Sequence, residues 1–200
     1  MSTQATPLGR RERNKQQKLE RITAAAAELF AAHGIDDVTT QQIAEKADVG
    51  TGTLFLYAKT KGELLLLVQN AHYAEALETG REAAAATSDI VDAIMSLLRP
   101  IIECNRVHVE NGRTYLREMV FGRPVDSHHL EALRIVGDTE SALSGILLRD
   151  PQIDEQRAPV LARIVSAAMF VTMAASVNAE AGIDEIADDV RTQVGALLGR

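Results

Sequence analysis

Two helix-start signals in the first third of the chain constrain its fold more than any other feature. Thr39 and Gln42 have the spacing of a capping box, in which each residue satisfies a backbone N–H group of the other. Thr60 and Glu63 repeat that spacing. Because each box opens a helix, the intervening stretch has room only for short helices joined by tight turns.

The residues around the boxes predict helix–turn–helix–turn–helix over this stretch. Before it, apolar residues recur at helical spacing and predict a first helix over about 12–33, which Gly34 is placed to end as a left-handed cap. The first box opens a short helix, and Asp48-Val49-Gly50 supplies the turn after it. A second short helix is predicted over 51–57, and a strongly apolar one begins at Leu64.

The remaining two thirds of the chain carry apolar stripes at helical spacing. We predict a helix from Ile90 that ends near Gly112, a short one over 114–121, one capped by Asp126 or Ser127 that ends at Asp150-Pro151, one over 160–177 and a last one over 183–198. The chain shows no run of alternating β-branched residues, and aromatic residues are only 4%. The fold class is therefore all-α, with about nine helices.

The net charge of −7 argues against a nucleic-acid partner until its distribution is considered. Residues 1–21 hold six Lys or Arg and two Asp or Glu, whereas residues 63–200 hold twelve and twenty-one. The basic charge therefore lies at the front of the chain, where it can meet phosphate groups.

The sequence also predicts where the protein works. Residues 1–9 lack the apolar stretch of a secretory signal, and Cys104 has no second cysteine to pair with, which favours the cytoplasm. The longest uncharged stretch, 164–178, is too short for a membrane span and contains polar residues, so no membrane segment is predicted. Neither a metal site nor a cofactor is predicted, since the adjacent His128 and His129 point apart on a helix.

The pattern from Thr39 to Leu64 resembles the DNA-binding domain of the tetracycline-repressor (TetR) family. The resemblance covers about residues 12–68 and is carried by Thr-Thr, Ile-Ala, Gly-Thr-Leu, an aromatic pair and a lysine at family spacing. Three positions depart from the family pattern. Gly50 stands where serine often caps the recognition helix, Phe55 replaces a frequent tyrosine, and Ala58 replaces a bulky aromatic, so that Leu56 or Phe30 is expected to fill the space.

By this resemblance, the chain reads DNA with a recognition helix over about 51–57. Thr51, Gly52 and Thr53 would face base edges in the major groove. Phosphate groups would be contacted by Thr40, Tyr57 and Lys61, and the DNA-binding set also includes Gln41 and Phe55. Arg10, Arg11, Arg13 and Lys15 would add an extended basic arm ahead of the first helix.

The resemblance also implies a domain plan and partners. Residues 1–11 would form a flexible basic arm, 12–68 the DNA-binding domain, and 69–200 a helical domain for effector binding and dimerisation. The last two long helices, about 160–180 and 183–198, would pack against their copies in a homodimer that binds a near-palindromic operator. The nearly all-round apolar character of 160–177 is consistent with contacts on two sides.

A second set of residues in the larger domain has two interpretations. Cys104 and His108 lie four apart on the predicted fifth helix, as do Tyr115 and Met119 on the next. Core packing explains such pairs. Alternatively, they line a cavity for a largely apolar small-molecule effector, together with Met95, Leu98, Ile102, Met169 and Phe170.

The function that follows is a transcriptional regulator and not an enzyme. We expect a repressor released from its operator by a small molecule, since the sequence shows no nucleophile–base arrangement. Two alternatives remain at this point. One is an activator on the same scaffold, and the other is a helical small-molecule binding protein or enzyme whose DNA domain is vestigial.

Overall fold

The computed structural model of this chain describes residues 9–122 and 127–200. Within those ranges the secondary structure is helical, with no strand. It comprises α1 (Arg10–His33), α2 (Thr40–Lys46), α3 (Thr51–Leu54), α4 (Lys61–Ala85), α5 (Ile90–Arg106), α6 (Val109–Phe121), α7 (Ser127–Leu147), α8 (Arg157–Ala174), a 3₁₀ turn (Ser176–Asn178) and α9 (Ile183–Leu198). The predicted all-α fold class of about nine helices is thus confirmed for the described residues.

The chain divides into two compact units, with the boundary inside α4. The amino-terminal unit ends at Val68 and the carboxyl-terminal unit begins at Gln69. In the amino-terminal unit, α1 and α3 each pack against α2. Its core consists of fully buried apolar side chains, among them Ile22, Phe30, Ile43, Leu54 and Leu64. The spacing of those residues explains the fold, because each helix buries the stripe that its sequence predicts.

The basic residues near the front belong to a helix. We expected Arg10, Arg11, Arg13 and Lys15 to form an extended arm, but α1 begins at Arg10. That prediction was wrong because Arg, Glu, Lys and Gln are good helix formers, and Glu12 adds a favourable negative charge to the first turn. Residues 1–8 of the predicted arm lie outside the described residues, as does the predicted cap at Asp126.

In the carboxyl-terminal unit, α7 pairs with α8, and α9 packs against both α5 and α8. Helix α6 lies against α5, α7 and α8. The centre of the unit is filled by fully buried apolar side chains, which include Leu97, Leu98, Ile102, Leu143 and Val190. Leu98 and Ile102, predicted to line an effector cavity, are thus part of this core.

The predicted fifth helix is interrupted. Instead of running to Gly112, α5 ends at Arg106, and α6 starts at Val109 after an extended His108 (φ −140°, ψ 101°). The physical reason is a close crossing at Gly112, where an added Cβ atom would lie 2.2 Å from the carbonyl oxygen of Asn105. Cys104 and His108 therefore do not share one helix face, and that part of the prediction was wrong.

Among the described helices, α8 alone is long and apolar enough to cross a membrane by length and composition. A core helix meets the same criterion. One face of α8 is buried within the unit and includes the polar residues Ser166 and Thr172. The other face is exposed and carries Val160, Ile164 and Val171.

Candidate nucleic-acid interface

Helix α2 starts with the predicted capping box. The backbone N–H of Thr39 donates to Gln42 Oε1 at 2.8 Å, and the backbone N–H of Gln42 donates to Thr39 Oγ1 at 3.2 Å. Two otherwise unpaired donors are thereby satisfied. Ile43 and Ala44 anchor α2 in the core, which leaves Thr40 half-buried and Gln41 exposed at the start of the helix.

Helix α3 presents its first residues to solvent because a single side chain anchors it. Leu54 is fully buried, whereas Thr51 and Gly52 are exposed and Thr53 is half-buried. The cap residue Gly50 has an extended backbone and no side chain to bond the first N–H groups. A Cβ atom added at Gly50 or Gly52 would meet no atom within 4 Å, so the backbone there is open to an approaching molecule.

The turn between α2 and α3 also makes surface contacts with α1. Asp48 has a positive φ of 51°, which non-glycine residues seldom adopt, although Asp and Asn tolerate it best. Its carboxylate accepts a hydrogen bond from Arg21 of α1 at 3.0 Å. Lys46, near the end of α2, pairs with Glu28 of α1 at 2.6 Å. These contacts join the turn and the end of α2 to α1 at the surface.

The recognition helix is shorter than the predicted 51–57. After Leu54 the chain continues with tighter i→i+3 hydrogen bonds, from Leu56 N–H to Thr53 O and from Tyr57 N–H to Leu54 O. Such tightening is common at helix ends. The consequence is that Thr51–Thr53 occupy the helical turn itself, while Phe55 and Leu56 lie in the tighter segment.

Tyr57 and Lys61 bond to other parts of the amino-terminal unit. The Tyr57 hydroxyl donates to the carbonyl oxygen of Lys15 at 3.1 Å. Lys61 Nζ donates to the carbonyl oxygens of Ile35 and Asp36 at 2.8 and 3.2 Å. The predicted phosphate contacts of both side chains would therefore compete with bonds that position α1, the α1–α2 turn and α4.

Leu56, one of the two residues expected to fill the space beside Ala58, lies outside the core. It is 83% exposed, whereas Ala58 is 2% exposed and Phe30 is 2% exposed. Of the two side chains expected to fill space near Ala58, only Phe30 is buried. The exposure of Leu56 could have been predicted from helix geometry. Residues two apart point about 200° apart, so Leu54 and Leu56 cannot both face the core. Phe55 is also partly exposed, at 42%.

The predicted effector residues are only partly brought together. Tyr115, Met119, Met169 and Phe170 line one apolar cavity of about 20 Å³ in the carboxyl-terminal unit. Met95 instead borders a separate polar cleft with Asp92, Arg99 and Arg191. His108 stands at the cap of α6, and Cys104 is half-buried on α5.

A buried polar network that the sequence analysis missed lies beside this cavity. The rings of Tyr73 and Tyr115 are stacked, with centroids 4.3 Å apart. The Tyr115 hydroxyl donates to Asn70 Oδ1 at 2.9 Å, and Asn105 Nδ2 donates to the Tyr73 hydroxyl at 2.6 Å. Burial raises the pKa of both tyrosines and raises the pKa of Cys104 to about 11. All three groups thus stay neutral at physiological pH.

Taken together, an outward short helix held by two packed neighbours in an all-α chain defines a helix-turn-helix protein. The profile described as "Bacterial regulatory proteins, tetR family" matches residues 22–68. The HTH-type transcriptional regulator TcmR of Streptomyces glaucescens is 29% identical over 168 residues, which are 83% of this chain and 67% of that protein. Residues 22–68 are thus similar to the DNA-binding domain of the TetR family, and most of the chain is similar to a transcriptional regulator.

Solved structures show the same fold. The Thermus thermophilus FadR repressor in complex with lauroyl-CoA matches with a TM-score of 0.71 and 23% identity, covering 90% of this chain and 93% of that one. FadR of Bacillus subtilis in complex with stearoyl-CoA matches with a TM-score of 0.63 and 17% identity, covering 89% and 96%. At these identities the likeness concerns the fold.

Proposed function

We propose that this protein is a dimeric, cytoplasmic repressor that binds a near-palindromic operator and is released by a small molecule. The observation that carries the DNA-binding part is the open surface at Thr51 and Gly52, which Leu54 holds outward. An exposed helical turn of this size fits the major groove. No bulky side chain at Gly50 or Gly52 keeps the backbone away from the bases.

In this proposal the residues divide by role. Thr51 and Thr53 contact base edges, and the methyl group of either threonine can also touch a thymine methyl. Thr40 and Gln41 lie at the amino terminus of α2, where backbone N–H groups favour phosphate oxygens. Phe55 borders the same surface. Arg10, Arg11, Arg13 and Lys15 are exposed on α1 and supply salt-dependent affinity.

Tyr57 and Lys61 receive a modified role. Because both bond backbone carbonyls within the amino-terminal unit, we propose that they position α1, α4 and the turns beside the interface. We also propose that Lys61 contacts phosphate, since its ammonium has three N–H groups and can exchange a carbonyl partner for a phosphate oxygen.

The exposed face of α8 supports the homodimer. Val160, Ile164 and Val171 are 60%, 44% and 69% exposed and recur at helical spacing. A contiguous exposed apolar stripe marks an interaction site. The outward residues of α9 are polar, among them Asp184, Glu185 and Asp188. We therefore propose that α8 forms the apolar centre of the subunit contact and α9 its polar rim.

The effector part of the proposal is supported by the structural likenesses. Two FadR transcriptional regulators of the same fold were solved with acyl-CoA ligands. We propose that this chain also responds to a small molecule with a large apolar part. The relatives that match are regulators, which also favours a role without catalysis.

Selection from a random duplex pool tests the DNA-binding proposal. We expect enrichment of a two-fold symmetric site whose half-sites lie about one helical turn apart. Fluorescence anisotropy on that site should show a steep loss of affinity with salt, and Arg11→Gln should lower the salt slope by about 1. Arg134→Gln, which changes an exposed arginine on α7 outside the proposed DNA and subunit contacts, is the matched control.

The base-reading role has its own readout. Thr53→Val keeps the shape of the side chain and removes its hydroxyl, so it should change the preferred sequence more than the affinity for random DNA. The proposal is wrong if no symmetric site is enriched, or if the Arg11 and Arg134 variants bind identically.

A further inference from the structure

One groove in the carboxyl-terminal unit has the size of a small-molecule site. It has a volume of about 440 Å³ and lies between the last turns of α4, the middle of α5 and the second half of α7. Ligand sites commonly span roughly 300–1,000 Å³. The cavity that contains Tyr115, Met119, Met169 and Phe170 is only about 20 Å³, which is room for one water molecule.

The groove is lined mainly by small or apolar side chains. Leu97 and Ile146, both buried, lie behind its surface, and Ala84, Ala142 and Gly145 also line it. A Cβ atom added at Gly145 would meet nothing within 4 Å, so the space beside it is open. A lining rich in alanine, glycine and aliphatic side chains fits an alkyl chain.

Two guanidinium groups, those of Arg81 and Arg149, border this apolar groove. Arg81 pairs with the Glu78 carboxylate at 2.8 Å. Arg149 donates to the carbonyl oxygens of Ala84 at 3.3 Å and Ser88 at 3.2 Å, and also to that of Thr87. Within residues 9–122 and 127–200, no carboxylate lies in ion-pair distance of Arg149.

Arg149 therefore has no charged partner among the described residues and keeps part of its donor set. A guanidinium has five N–H groups, and three of those on Arg149 serve the backbone carbonyls. Charge-assisted bonds to a carboxylate or phosphate are stronger than bonds to carbonyls. An anionic group at the edge of the groove is the partner that this charge lacks.

We propose that the groove binds an amphipathic anion, with an alkyl chain along Ala142, Gly145 and Ile146 and an anionic end at Arg149. This inference rests on the proposed function, because the ligand would be the effector. The same guanidinium holds the carbonyls at the end of α4, so an anion bound to it acts directly on that helix end. Helix α4 begins at Lys61 in the DNA-binding unit.

Calorimetric titration of the full chain with three ten-carbon probes tests the ligand class. The probes are decanoate, decanol and decyltrimethylammonium, which share the chain and differ in charge. We expect decanoate to bind about tenfold more tightly than decanol, and the cation to bind most weakly. Decanoyl-coenzyme A, titrated in parallel, shows whether a free carboxylate or a phosphate-bearing thioester is preferred. Equal binding of decanoate and decanol overturns the assignment of Arg149.

Gly145→Leu tests the position of the site without weakening the fold. The leucine enters the groove from a helical position with open space, and leucine is a better helix former than glycine. We expect the affinity for decanoate and decanol to fall at least about tenfold, with an unchanged or higher Tm. Gly137→Leu is the matched control, since it lies on α7 with equally open space and outside the groove. Equal binding by the two variants overturns the proposal.

Arg149→Gln tests the contribution of the ligand's charge separately from that of its alkyl chain. It should lower the affinity for decanoate about tenfold and leave that for decanol unchanged, while Arg149→Lys restores part of the difference. Operator anisotropy on the same samples distinguishes the two proposals. If Gly145→Leu binds the operator but no longer binds decanoate, both proposals are supported. If this variant binds decanoate like the wild type, the groove is not the ligand site, and the DNA-binding proposal is unaffected.

Discussion

The two units of this chain use polar side chains in different ways. In the amino-terminal unit, the contacts that set helix positions lie at or near the surface, as in Arg21–Asp48 and Lys46–Glu28. In the carboxyl-terminal unit, Asn70, Asn105 and Tyr115 are buried, and their hydrogen bonds link different helices. A surface contact exchanges with water at little cost, whereas a broken buried bond leaves an unpaired polar group. The DNA-binding unit should therefore depend mainly on its apolar core, and the larger unit also on its polar centre.

The largest effect is expected from Leu54→Ala. Leu54 is the fully buried side chain that anchors α3, and removal of such a leucine costs about 2–5 kcal/mol of unfolding free energy. Operator binding should be lost together with hydrogen-exchange protection of residues 9–68. Leu56→Ala is the matched control, because Leu56 is 83% exposed two residues later. Undiminished protection in Leu54→Ala would contradict the role of the apolar core.

Alkaline pH should weaken the larger unit through Cys104. Burial raises the pKa of this thiol to about 11, whereas an unfolded thiol titrates near 8.5. The unfolded state therefore releases its proton first, and stability is lost as the pH rises from about 8.5 to about 11, by at most about 3 kcal/mol. The Tm of the wild type should fall over that range more than the Tm of Cys104→Ala. Parallel curves for the two proteins would show that the thiol does not contribute.

Removal of one tyrosine hydroxyl from each unit compares the two units directly. Tyr115→Phe leaves the buried Asn70 Oδ1 without its donor and should cost about 1–3 kcal/mol. Tyr57→Phe removes a bond to Lys15 O at the surface, where water replaces the hydroxyl, and should cost less than about 1 kcal/mol. Guanidinium denaturation with hydrogen exchange assigns each loss to its unit. The contrast between the units fails if Tyr57→Phe costs as much as Tyr115→Phe.

The same contrast explains what could be predicted from the sequence. The start of α2 and the turn at Asp48–Gly50 depend on neighbouring residues, so Thr39, Gln42 and Gly50 were sufficient to place them. The break between α5 and α6 depends instead on the crossing of Gly112 and Asn105, and it could not be predicted from periodicity alone.

The candidate sites follow the same division. Thr51 and Gly52 lie on the predicted exposed helix because local rules place them there. The proposed groove combines residues of α4, α5 and α7 that are distant in sequence, and neither Arg149 nor Gly145 has a local motif. Leu56 is an intermediate case, since the helical period alone was enough to exclude it from the core.

The smallest effect is expected at the turn before α3. Arg21 and Asp48 have 46% and 95% exposed side chains, and exposed ion pairs contribute about 0.2–1 kcal/mol. A double-mutant cycle with Arg21→Gln and Asp48→Asn isolates that coupling, because asparagine also tolerates the positive φ of position 48. Salt should reduce the coupling further, since both charges face solvent. A coupling above about 2 kcal/mol that resists salt would mean that the turn is held as firmly as the buried network, and the surface contacts of the DNA-binding unit could then no longer be treated as exchangeable with water.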